Sequence, residues 1–449
     1  MKRAALRLSL FALLAPGAAF AQQKTSPVKS ATTAALDPNK PIVISGGKLL
    51  TITHGTIDNG VLVIDKGKIA VVGAAGSVKV PGGAQTIDAK GMIVYPGLID
   101  SETHLGLTEI SADRMTNDLV ERSDEIMPHM HTADAFHAES ALIPVSRYNG
   151  ITNAIVAPDS GDTLPGQDSF IQLAGADATQ MLLIRDIAMP LNFTGKQRRN
   201  ESFATAQYPQ TRMGMAAQIR QAFTDAQGYV TKWDEYNKKK AALKPGENPP
   251  SPPARDLKLE ALVPYLEGKK PVVVKAEEPN DVETAYALAQ EFRLKVILNG
   301  LTHSQAIYDK IASWKVPVIL GSIYDDPKEW QRYDAIYKMP GDLSKRGVKI
   351  AFASFDAHQV RNLPYAAGFA VAFGLPYDEA IKALTLYPAQ IWGVDDQLGS
   401  LEVGKVANVV VATGDPLDVK TDVKYVFIQG RPVPLVNRQT ELRDRYSNR

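Results

Sequence analysis

Tyr95-Pro96-Gly97-Leu98-Ile99-Asp100-Ser101-Glu102-Thr103-His104 leads from a proline and a glycine through an apolar pair into Glu-x-His. Residues i and i+2 of a strand share a face, so a strand through this stretch turns Glu102 and His104 to the same side. A carboxylate and an imidazole converging in this way suit zinc, manganese or iron. The same residues also fit a plainer reading, with Glu102 a solvated loop carboxylate and His104 a hydrogen-bonded core residue. What flanks the stretch decides how much it means.

Downstream, over about residues 98 to 395, apolar strands alternate with amphipathic helices. Strand-like runs are Ile151 to Ala157, Met181 to Ile184, Val272 to Lys275, Val296 to Leu298, Val316 to Leu320 and Val348 to Ala353. Helix-like runs include Thr211 to Ala241, Asp281 to Phe292, Ser304 to Trp314 and Tyr377 to Leu386. Repeated β-then-α units with near-continuous apolar strands indicate a parallel sheet, and this many predict closure into a (β/α)8 barrel of the TIM type. The C-terminal strand ends of such a barrel form its active-site face, so Glu102 and His104 would open onto the mouth. Lys238 to Pro253 (KKKAALKPGENPPSPP) turns from charged to proline-rich and reads as a mobile surface excursion.

Upstream lie short β-type runs, Ile42 to Ser45, Gly60 to Ile64 and Lys68 to Val72. Asp58-Asn59-Gly60 and Asp65-Lys66-Gly67 separate them as hairpin turns. The same texture returns in Val406 to Ala412 and Tyr425 to Gly430. The two β-rich ends predict a small composite β-sandwich domain from residues 41–97 and 396–435, around a barrel at 98–395, with 436–449 a C-terminal tail.

Residues 1–21 combine Lys2, Arg3 and Arg7 with the apolar run Leu8 to Leu14 and the small-residue pattern Ala19-Phe20-Ala21, and read as a secretory signal peptide. Cleavage after Ala21 leaves 449 − 21 = 428 residues, opening with a flexible arm over 22–40 and sufficient for a barrel with a satellite domain. A periplasmic or secreted, soluble protein is expected, since no other run is long enough to span a bilayer. The chain has no cysteine, which excludes disulfides, thiolate nucleophiles and Cys-based zinc sites. With 50 basic and 49 acidic side chains the net charge is +1, too weak a field to recruit nucleic acid.

Several segments carry a family resemblance: PGLIDSETH itself, Asn149-Gly150-Ile151-Thr152-Asn153, Pro165-Gly166-Gln167, Arg361 to Tyr365, Leu386-Tyr387-Pro388-Ala389 and Gly399-Ser400-Leu401-Glu402-Val403-Gly404-Lys405. Over about residues 41 to 431 the chain resembles the amidohydrolase superfamily, in particular its secreted imidazolonepropionase-like and dipeptidase-like branch. That family's first strand reads PGLIDxHxH, with both histidines on a catalytic metal; here Glu102 stands at the first. The resemblance implies hydrolysis of an amide, cyclic amide or dipeptide-like C–N bond by water activated on one divalent metal, zinc foremost, held by His104, Asp356 and Glu102. It makes Asp356, in Ala351-Phe352-Ala353-Ser354-Phe355-Asp356-Ala357-His358, the general base. The same aspartate could instead cap the following helix.

The ligand set diverges elsewhere. Relatives carry histidine where this chain has Lys275, and again near Asn299-Gly300. A lysine that is cationic at pH 7 does not replace an imidazole, and glycine has no side chain to offer. His303, Glu277 and Asp186 stand close enough in sequence to substitute, each also readable as a loop polar residue. Lys275 could alternatively pair with Glu102 or Asp356 in the space of the metal. His303, His358, Arg361, Asn362 and Lys275 are the candidates for substrate contact. His129, His131 and His137 read as surface histidines, and Asn408, where relatives often have the aspartate of GKxAD, is expected to matter little. Two functions compete. One is an exported hydrolase of a small-molecule or peptide-like substrate; the other is a catalytically degenerate homologue that binds a ligand or partner, as a homo-oligomer or beside an intact amidohydrolase. Metal-free hydrolysis by Asp356 with His358 or His104 is a third.

Overall fold

The computed structural model describes residues 36–121, 123–194 and 208–447. The expected signal peptide and residues 22–35 of the arm lie outside the described residues.

Both ends of the chain build one sheet. Strands β1 (Ile42–Leu50), β2 (Thr56–Asp65), β3 (Lys68–Ala74), β4 (Gln85–Asp88) and β5 (Ile93–Pro96) join β14 (Val409–Ala412), β15 (Val423–Ile428) and β16 (Arg431–Pro432). Their order is β16-β15-β14-β5-β1-β2-β3, with β4 also on β1. Ile44, Leu49, Leu62, Ile64, Val409, Val411 and Phe427 fill its core. Lys66 and Gly67, with φ of 48° and 79°, make the two-residue turn between β2 and β3, a conformation whose hand matches strand twist. Asp58-Asn59-Gly60, expected as a turn, instead lies inside β2. Asn59 takes φ 49° there and the pairing with β1 shifts register, so the turn signal serves a bulge.

The middle of the chain forms an eight-stranded barrel: β6 (Leu98–Thr103), β7 (Ile151–Val156), β8 (Asp168–Gln172), β9 (Leu182–Asn192), β10 (Pro271–Ala276), β11 (Lys295–Gly300), β12 (Val318–Leu320) and β13 (Ile350–Ala351). The amide of Ser101 donates to Phe352 O at 3.2 Å and that of Ser354 to Glu102 O at 3.2 Å, joining the last strand to the first. This is the TIM-type barrel with a β-domain that the alternation predicts, with one difference. Strand β8 runs antiparallel to both β7 and β9. Its five residues follow Pro165-Gly166, and it has no strand-like counterpart among the runs read from sequence.

Ile99, Ile155, Phe170, Ala188, Val273, Ile297, Ile319 and Ala351, one from each strand, belong to a single buried cluster. A second, larger core lies between the strands and the outer helices. Helix Arg212–Ala241 shows how those helices form: Thr211 Oγ1 accepts from Gly214 N–H at 3.1 Å at its start, and Met215, Ile219, Phe223 and Ala226 recur at helical spacing on its buried face. Residues 242–256 are irregular, and Asp256 caps the next helix, Leu257–Leu266. The expected helix at 304–314 begins instead as a 3-10 turn, Gln305–Ile307, before Tyr308–Trp314. Residues 436–449, read as a tail, contain helix Arg438–Tyr446 with an Asn437–Thr440 capping box.

Candidate functional site

Two residues beyond the apolar cluster, toward the C-terminal ends of the strands, the same inward face becomes polar. Val273 is followed by Lys275 on β10 and Ile297 by Asn299 on β11. Lys275 and Asn299 face each other in register. Because β8 is reversed, its first residue, Asp168, is the one that lies at this level, two before Phe170. Glu102 completes the group from β6.

The centre of the group is a buried ion pair between Lys275 Nζ and Glu102 Oε1, whose side chains are 8% and 3% exposed. Asn299 Nδ2 donates to the other oxygen, Glu102 Oε2, at 2.5 Å. Burial alone would push the Lys275 ammonium down; the charge and hydrogen bond of Glu102, with Asp168 and Asp159 behind it, outweigh that and hold Lys275 above its ordinary value. Asp168 is driven well above the carboxylate range by burial, with Glu102 adding and Lys275 opposing. Its Oδ1 is buried with no hydrogen-bond partner among the described residues.

Asp100, one turn of the pleat below, is fully buried and pushed up to about 7 by burial, with the charge of Glu102 adding. Amides of Ser354 (3.0 Å) and Glu102 (3.2 Å) donate to its Oδ1 and oppose the rise. His104 is buried, and its Nδ1 lies 2.9 Å from Ala157 O. A carbonyl only accepts, so Nδ1 carries the proton and Nε2 is the remaining acceptor when the ring is neutral.

Asp356 sits on the loop after β13, half-exposed, and its Oδ1 accepts from the amides of His358 and of Gln359 (2.9 Å). These are local turn hydrogen bonds ahead of 3-10 helix Val360–Asn362 and not the expected helix N-cap, because Gln359 holds that position. Thr103 Oγ1 donates to Asp356 O at 2.7 Å, fastening the loop to β6 beside Glu102. His358 Nδ1 lies 3.7 Å from Asp356 Oδ1.

The other candidates are dispersed. His303 Nδ1 contacts Gln331 Oε1 at 2.7 Å, at the ends of β11 and β12, beside Glu277. Glu277 accepts from the Thr302 amide at 2.9 Å, and burial raises its pKa. Asn362 Nδ2 donates to Gln359 Oε1 at 2.5 Å, and the backbone carbonyl of Arg361 accepts from Asn149 Nδ2 at 2.8 Å. Asp186 does not end its strand. The strand runs on through Pro190 to Asn192, and Asp186 meets His131 Nδ1 at 2.6 Å partway along it. Gly300 has φ 98°, and a Cβ there would lie 2.8 Å from Ala276 O and 2.9 Å from Glu277 Cδ, so packing, not a lost ligand, fixes glycine.

The divalent metal implied by the resemblance needs at least three converging donors. Among the described residues no three His, Asp or Glu side chains form such a group. Glu102 has both oxygens engaged by Lys275 and Asn299, and Asp356 uses Oδ1 to cap a turn. This donor set does not fit the metal. Sequence reading missed Asp168 and Asn299 as site residues; Asn299 is a polar residue following the apolar run Val296 to Leu298, and Asp168 opens the mostly polar strand β8. That signal was legible for Asn299; for Asp168 it required knowing that β8 is reversed.

Three comparisons bear on this architecture. The model of the amidohydrolase family matches residues 335–433. Amidohydrolase tasK of Hapsidospora irregularis is 25% identical over 390 residues, covering 83% of this chain and 39% of that protein. The chain thus spans about two fifths of the length of that relative. The crystal structure of an amidohydrolase from Thermotoga maritima MSB8 superposes with a TM-score of 0.79 at 27% identity, covering 88% of this chain and 100% of that one. A Xaa-Pro dipeptidase with bound methionine shares the fold at TM-score 0.54 and 18% identity, over 88% of this chain and 100% of its own. In both sequence and fold the chain is thus similar to proteins of the amidohydrolase superfamily.

Proposed function

We propose that the chain, exported by its N-terminal segment, hydrolyses a C–N bond in a small amide, cyclic amide or dipeptide-like substrate bound at the barrel mouth. The observation that carries this reading is the polar layer of Glu102, Lys275, Asn299 and Asp168 set directly above an apolar plug at the strand ends. A substrate seated there has hydrogen-bonding groups beneath it and no route through the barrel. The likeness to amidohydrolases supports the reaction class. Asp356, half-exposed on the adjoining loop, is the carboxylate that solvent reaches and takes a proton from attacking water.

The test is amine release from a panel of N-acyl amino acids, lactams and dipeptides. Asp356→Asn keeps an acceptor for the capped turn but has no basic carboxylate, so turnover is expected to fall by about 100-fold or more with the fold intact. A wild-type protein inert across the panel would overturn the proposal.

The buried Lys275–Glu102 pair favours a second reading, a degenerate homologue that binds a ligand or works beside an intact amidohydrolase. More than half of the length of the Hapsidospora irregularis relative lies beyond the segment shared with this chain, which suits a companion unit. Ligand binding without turnover, together with a complex seen by native mass measurement, would support it.

A further inference from the structure

We infer that the barrel mouth carries its own cation: the Lys275 ammonium, gripped by Glu102 and steadied through Asn299, takes the charge-balancing place of a divalent metal, and the folded protein holds no stoichiometric metal. The inference concerns the same mouth as the proposed hydrolysis and rests on that reading only for its location. Four observations converge. Lys275 Nζ contacts Glu102 directly, with both side chains nearly inaccessible, so the space beside the carboxylate is filled. Glu102 Oε2 is committed to Asn299 Nδ2 at 2.5 Å, leaving the residue at the family's first ligand position no open donor oxygen. Gly300 is held at φ 98° against Ala276 O and Glu277, where a ligating side chain would strain the backbone. A divalent ion added beside a buried ammonium would meet like-charge repulsion in a medium that screens poorly.

The pair also explains why neither partner is dispensable alone. Removing Lys275 strands a buried carboxylate, whereas removing both charges strands nothing. The experiment uses the full-length protein purified without a metal-affinity tag. Elemental analysis after dialysis against stoichiometric zinc or manganese is expected to find below about 0.1 equivalent, and chelator is expected to shift the thermal midpoint by less than about 1 °C. Lys275→Met is expected to lower the midpoint by roughly 5–10 °C, and Glu102→Gln/Lys275→Met to recover more than half of that loss. One tightly held equivalent of metal, with a midpoint that chelator lowers, would overturn the inference, as would additive effects of the two substitutions. If Lys275→Met does not fold, the wild-type metal content and the folding of the double variant decide the matter. Amide turnover by a metal-loaded protein would sink this inference and leave the proposed function standing; metal-free protein without turnover would do the reverse.

Discussion

Gly300 and Asp356 each answer to a backbone demand at a position where the sequence suggested chemistry. Gly300 stands near an expected ligand position, yet its backbone lies at φ 98° with Glu277 packed over the missing side chain. Gly300→Ala is therefore expected to destabilise the fold by about 2 kcal/mol, read from urea unfolding, because the substitution adds strain as well as volume. Asp356 caps a turn whatever else it does. Asp356→Ala should cost about 1 kcal/mol in the same assay, while Asp356→Asn should cost much less, since an amide oxygen still accepts. Equal losses from both substitutions would mean that the carboxylate charge, not the acceptor, holds the loop. Glu102 and Lys275 were legible in sequence because they end strands at the expected spacing. Their pairing was an option that only the register between strands could select.

At the scale of elements, β8 carries the main lesson. Alternating apolar runs were enough to anticipate a barrel, because one buried layer needs one inward residue per strand. Direction is not written in such a run, and reversal exchanges which end of a strand faces the mouth. That is why Asp168 enters the polar layer unannounced. Strand β9 was read too short for a different reason: the expected run stopped at Ile184, before the charged Arg185 and Asp186, whereas the strand continues to Asn192. The return from barrel to β-domain was well marked by Gly399 to Lys405, and the structure supplies its physical content. Thr53 Oγ1 donates to Glu402 Oε1 at 2.7 Å and Ser400 Oγ to the same oxygen at 2.8 Å, while Lys405 Nζ reaches Ser400 Oγ at 2.6 Å. The Thr53 hydrogen bond, with help from Ser400 and Lys405, lowers the Glu402 pKa below its ordinary 4.5. A depressed carboxylate pKa gives stability that is present above the unfolded value and lost as pH falls through the folded one. Urea midpoints should accordingly decline below about pH 4.5, and Glu402→Gln should flatten that part of the decline.

Across the whole molecule, Asn408 joins the two halves of the architecture. It was expected to matter little because it is remote from the mouth. Remote it is, but it is buried, donates from Nδ2 to Asn153 Oδ1 on β7 at 2.7 Å, and accepts at Oδ1 from the Gln429 amide beyond β15 at 2.8 Å. Its own carbonyl receives the amide of Gly97 at 2.9 Å, at the start of the stretch that becomes β6. Asn408→Ala leaves buried groups unsatisfied on both sides and is expected to lower stability by about 2 kcal/mol, with unfolding followed in urea. A change within about 0.5 kcal/mol would show that the junction rests on apolar packing alone.

The fastening of Thr103 to Asp356 spans 253 residues of chain. Strands β7, β8 and β9, by contrast, are near neighbours in sequence as well as in space. Contacts between distant residues require a long loop to close before they return any stabilisation, so local antiparallel pairs form early and the seam forms late. The functional mouth straddles that seam, since Glu102 receives the amides of Ser354 and Phe355 across it. Amides of Ser354 and Phe355 should then exchange with solvent ahead of those of Ala154 and Ile155 in native-state hydrogen exchange. On this account the site is the last part of the molecule to be assembled and the first to open.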